Sequence, residues 1–237
     1  MQYFIFVLLI CFFIFLYCVY VLSNDDFIFL RRDVTMEKLF NIVFLGGLVS
    51  LFSSRLFYGL FHSKVIISNL FYFLLIPYFP GLSLLGGVVG IAAYFLFLSL
   101  RKKSSLPLGR ILDFFSIAFL ISLPVGFIGF LMFAPESTVF IKAGSFALTY
   151  FILFIIFLRF LLPRLLNGKL KEGTIALIFL LCFSMVSLIS NSFPAISVLN
   201  YFKNFENLIL IAVLIASGVF LTKQENLFIQ IKRLLRF

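Results

Sequence analysis

Long apolar runs broken by short polar stretches organise this chain. The runs are Tyr3 to Leu22, Leu39 to Phe61, Leu82 to Leu100, Ile111 to Phe133, Val139 to Leu162, Thr174 to Phe193 and Leu208 to Leu221. A bilayer core of about 30 Å, at a helical rise of 1.5 Å, asks for about 20 apolar residues per crossing. The pattern therefore predicts seven transmembrane helices, the last short and extended into the interface by Asn204 to Asn207. An eighth apolar stretch, Leu70 to Phe79, is half a span and is closed by Pro77 and Pro80. A re-entrant or interfacial half-helix is expected there.

Charge then orients the helices. Arg31, Arg32 and Lys38, then Arg101, Lys102, Lys103 and Arg110, then Arg159, Arg164, Lys169 and Lys171, then Lys223, Lys232, Arg233 and Arg236 fall on alternate loops. Together they are 15 of the 19 Lys and Arg. The opposite loops hold Lys64, Lys142 and Lys203. The positive-inside rule puts the N-terminus outside and the C-terminus in the cytoplasm. The first run lacks both a basic leader and a small-residue cleavage site, so it is expected to be a retained helix. The tail KQENLFIQIKRLLRF has apolar residues at helical spacing with basic ones between, the pattern of an amphipathic helix on an anionic leaflet.

Composition agrees and excludes other classes. Of 237 residues 63% are apolar and 12% charged, with a mean hydropathy of +1.21. Soluble domains carry about 25% charged residues. The net charge of +10 is thus assigned to membrane-facing loops and not to nucleic acid. Cys11, Cys18 and Cys182 lie inside apolar runs without metal-ligand spacing, which argues against a disulfide framework. No metal and no cofactor is expected.

Function is sought where polar groups enter apolar runs, because they are costly there. On the second run Gly47, Ser50, Ser54, Tyr58 and His62 recur every three or four residues, with Arg55 beside them. Arg55 lies about 9 Å below the outer helix end at 1.5 Å per residue, too deep for an ordinary anchor. Two readings stand: a guanidinium facing the bundle and holding a phosphate, or one snorkelling to lipid. His62, the single histidine, reads as a solvated interfacial residue, and Asp113 as a helix cap close to Arg110. Ser184, Ser187 and Asn191 share a face that suits interhelical hydrogen bonds. Gly86, Gly87 and Gly90, and again Gly126 and Gly129, suit close helix packing or close approach of backbone to a ligand.

Four stretches carry a resemblance. They are FLGGLVSLFSSRLFYGLFH (44 to 62), GLSLLGGVVG (81 to 90), RKKSSLPLGRILDFFSIAFLISLPVGFIGFLMF (101 to 133) and NGKLKEGTIALIFLLCFSMVSLISNSF (167 to 193). In order and spacing they resemble the prolipoprotein diacylglyceryl transferase family of bacterial inner membranes, over most of the chain from about residue 30 onward. The resemblance implies transfer of diacylglyceryl from phosphatidylglycerol to the thiol of a lipobox cysteine, with release of glycerol phosphate. Such chemistry needs a cation for the departing phosphate and a base for a thiol of pKa about 8.5.

The resemblance places Arg55, Tyr58, Ser83, Gly86 and Gly87 at the phospholipid headgroup, with His62, Asp113, Gly126, Gly129 and Glu136 as accessory positions. It also marks replacements. Leu85 stands for the family's histidine, Phe127 and Phe130 for the arginine and asparagine of its G-R-x-G-N signature, and Pro135 for the acid that follows. Ser187 and Asn191 align with an arginine and a glutamate. The expectation is an all-α integral membrane protein, a seven-helix domain over 1–222 with a basic tail over 223–237. Its expected function is that of a divergent transferase-like protein with weakened or lost catalysis. The alternatives are a non-catalytic binder of phospholipid or lipoprotein signal segments, and an unrelated transporter or scaffold.

Overall fold

The structure is a computed structural model that describes residues 3–24, 26–62, 70–74, 81–100, 106–131, 137–192 and 204–225. Every element among them is helical. In chain order these are α1 (Tyr3–Asn24), α2 (Phe27–Arg31), α3 (Met36–Phe61), α4 (Leu70–Leu74), α5 (Leu84–Leu100), α6 (Leu108–Leu131) and α7 (Ser137–Ile156). A π-helical turn, Phe157–Leu161, carries α7 into α8 (Leu162–Leu166), and α9 (Thr174–Ser192) and α10 (Phe205–Gln224) follow. Among the described residues six helices are long and apolar enough to cross a membrane, so the chain is an α-helical, multi-pass membrane protein. The remaining apolar helix, α5, has 17 residues. Pro77, Pro80 and Glu136, and residues 226–237 of the basic tail, lie outside the described residues.

Central to the bundle is α6, the most deeply buried span, with Ile111, Ile117, Ala118 and Leu120 fully enclosed. On one side α1 runs antiparallel to it. Phe15 meets Phe115 edge to face at 5.3 Å, and a Cβ on Gly126 would touch the Cys11 sulfur at 3.5 Å. Gly129 faces Val7 so closely that no side chain fits. The two glycines therefore serve the α1 contact. On its other sides α6 packs against α7 and α9, and α10 pairs with α9.

A second unit is the antiparallel pair α3 and α5. A Cβ on Gly86 would lie 2.6 Å from the Phe57 Cβ, and one on Gly90 would overlap the Ser53 hydroxyl. Ser50 donates to the Gly87 carbonyl at 3.2 Å and Ser54 to the Ser83 carbonyl at 2.7 Å. Small residues on both helices bring the backbones together, as membrane helices without a hydrophobic driving force require.

One end of the bundle is closed by ionic and capping contacts. Asp26 caps α2 through Oδ1, accepting from the Ile28 and Phe29 amides. Its Oδ2 accepts from Arg110 Nε at 3.0 Å and Nη2 at 2.7 Å, and Arg110 Nη1 reaches the Leu165 carbonyl at 3.2 Å. Asp113 was expected to cap its own helix beside Arg110. It caps α9 instead, accepting from the Gly173 amide at 2.7 Å and the Ala176 amide at 2.9 Å. The carboxylate lies more than a turn inside α6, where its own amides are already bonded, and the free amides of the α9 terminus face it. Glu225, just past α10, accepts from the Lys171 amide and the Thr174 hydroxyl.

Breaking the buried pair on one side strands the other charge. Asp26→Ala is expected to destabilise the protein by about 3–5 kcal/mol, and Asp26→Ala with Arg110→Met by clearly less. Unfolding in mixed micelles measures both; equal losses would show that the pairing is unimportant.

Candidate functional site

Arg55 is 1% exposed and points into protein, not to lipid. The snorkelling alternative is thereby set aside. Its Nη2 donates to the Tyr72 carbonyl at 2.7 Å, Nη1 to Gly81 at 2.8 Å and Nε to Phe73 at 3.3 Å. Three of the five guanidinium donors thus hold α4 and the entry to α5 against α3. The Tyr72 and Phe73 carbonyls of α4 and the Gly81 carbonyl before α5 all accept from this one side chain.

Beyond this clamp lies a cavity of about 270 Å³. It opens at the end remote from Arg110, where the α3/α5 pair stands apart from α6, α7, α9 and α10. Tyr58 and His62 line it from α3, and Leu82 to Leu85 from the start of α5. Phe127 of α6 faces Phe146 and Tyr150 of α7 in a stacked wall, with centroids 5.2 and 6.0 Å away. Phe183, Ser187 and Asn191 come from α9, Glu206 and Leu210 from α10.

The rim is polar and crosses between the units. His62 Nδ1 stands 3.7 Å from Glu206 Oε1, and the Tyr58 ring stacks on His62 at 5.1 Å with the planes 1° apart. Asn191 donates to Asn207 at 2.8 Å, tying α9 to α10. Asn204 caps α10 by accepting from the Glu206 amide, so the carboxylate sits at the helix N-terminus where a negative charge is favoured.

Of the positions expected at a headgroup, Tyr58 and Ser83 line the cavity, and so does the accessory position His62. Arg55, Gly86 and Gly87 do not; the first is bound to carbonyls and the glycines are packed on α3. Ser83 also caps α5, accepting from the Gly86 amide at 3.3 Å. Asp113 belongs to the opposite end, Gly126 and Gly129 to the α1 contact, and Glu136 lies outside the described residues. Glu206 and Tyr150 were missed. Glu206 reads in sequence as part of an interfacial extension, and Tyr150 is one apolar residue among many. No metal-ligating group of three His, Cys, Asp or Glu occurs among the described residues. Family models, curated proteins and solved structures offer no match to the chain.

Replacing the clamp tests its role. Arg55→Ala removes three hydrogen bonds to backbone carbonyls and is expected to cost on the order of 3 kcal/mol. Arg55→Lys should recover less than half, because one ammonium lacks the fork that spans them. Unfolding in micelles reads both, and full recovery with lysine would refute the clamp.

Proposed function

We propose that this protein is a divergent prolipoprotein diacylglyceryl transferase-like protein of a bacterial inner membrane, which keeps a lipid-binding cavity and has lost the transfer chemistry. One observation carries the reading. Leu85, Phe127, Ser187 and Asn191, the positions aligned with the family's histidine, arginine, second arginine and glutamate, come from α5, α6 and α9 and line one cavity. An accidental likeness gives no reason for separated positions to share a wall. Phe130 is the exception, half exposed outside it.

The same cavity argues against catalysis. A departing phosphate is stabilised by paired hydrogen bonds from a cation. Among the described residues lining the cavity there is no Arg or Lys, and the nearby guanidinium of Arg55 is spent on backbone. Counted as a span, α5 is about 26 Å long at 1.5 Å per residue, near the lower limit for a crossing. Seven crossings with the arginine-rich end inside set the cavity in the outer half of the bilayer. A membrane lipid enters there from the outer leaflet, and a lipoprotein signal segment is the second candidate occupant.

Incubating the purified full-length protein with labelled phosphatidylglycerol and a lipobox peptide tests this. No labelled peptide is expected. Thioether formation that disappears in Arg55→Ala contradicts the proposal.

A further inference from the structure

The cavity's polar groups say more about its occupant than its position does. This step rests on the reading of the cavity as a lipid site. From Glu206, Ser187, Asn191, Tyr58 and His62 the rim offers a carboxylate, hydroxyls, an amide and an imidazole. Hydroxyls and the amide both donate and accept, and the carboxylate accepts strongly. Among the described lining residues Glu206 supplies the one carboxylate. Its side chain is 17% exposed, and its partner His62, at 3.7 Å, is charged only when protonated.

An anionic phosphate beside that carboxylate is repelled, and the repulsion grows as water is excluded. A free lipid hydroxyl instead donates to it. Size agrees. At about 270 Å³ the cavity has room for a glycerol head. The wall of Phe127, Phe146 and Tyr150 suits the first apolar atoms behind that head.

We infer that the cavity binds the head of an uncharged, hydroxyl-bearing glycerolipid, of which diacylglycerol is the simplest, in preference to phosphatidylglycerol. Glu206 is the residue that sets the preference. Its carboxylate accepts from the lipid hydroxyl and rejects the phosphate.

Native mass spectrometry of the full-length protein in micelles tests this, using diacylglycerol and phosphatidylglycerol of matched chains. Wild type, Glu206→Gln and two cavity-filling variants, Ser187→Phe and Leu210→Trp, are compared, each with its helical circular dichroism checked. Wild type is expected to retain diacylglycerol roughly tenfold over phosphatidylglycerol. Glu206→Gln should narrow the ratio to roughly threefold or less, and both filling variants should lose diacylglycerol. If phosphatidylglycerol is retained equally or better, and is lost from the filled variants, the neutral-lipid inference fails while the lipid cavity stands. If filling changes no lipid retention, or no lipid is retained at all, the cavity reading itself fails, and the inference with it.

Discussion

A guanidinium cannot sit in an apolar bundle without hydrogen-bond partners, and the carbonyls at the ends of a broken helix cannot either. Arg55 meets both requirements at once. By holding Tyr72, Phe73 and Gly81 it joins α4 and the entry to α5 to α3. Ser83 is then placed to exchange hydrogen bonds with Ser54 and to cap α5, and the glycines of α5 settle onto α3. The α3/α5 pair that results meets α6 where Phe95 packs on Phe115, and the cavity lies between the pair and the other helices beyond that contact.

The two ends of the bundle use polar residues in opposite ways. Asp26, Arg110 and Asp113 are nearly or completely buried, and their described contacts join α2, α6, α8 and α9. Satisfied groups of this kind fix the relative positions of helices and leave little for a ligand. At the far end the polar groups of Tyr58, Ser187, Asn191 and Glu206 border open space.

The helices were legible because period and length act locally. Spans beginning near residues 3, 39, 111 and 174 match α1, α3, α6 and α9 closely, while the fifth run continues through a π turn to Leu166. Partners were less legible. Asp113 and Arg110 are neighbours in sequence, yet each serves a different helix, Asp113 the terminus of α9 and Arg110 the carboxylate of Asp26. Arg55 was recognisable as costly, but sequence does not show whether a phosphate or three carbonyls meet the cost. Glycine spacing could not choose between packing and ligand approach, and the structure shows packing. The cavity was half legible: Tyr58, His62 and Ser83 stood out, whereas Glu206 acquires meaning only when α10 is brought opposite α3.

The central claim is that Arg55 holds backbone and not lipid. An experimentally determined structure in nanodiscs rich in phosphatidylglycerol tests it most directly. The account predicts Arg55 Nε, Nη1 and Nη2 on the carbonyls of Phe73, Gly81 and Tyr72, with no lipid phosphate in hydrogen-bond contact. A phospholipid headgroup bound to that guanidinium, with the carbonyls released, would contradict it.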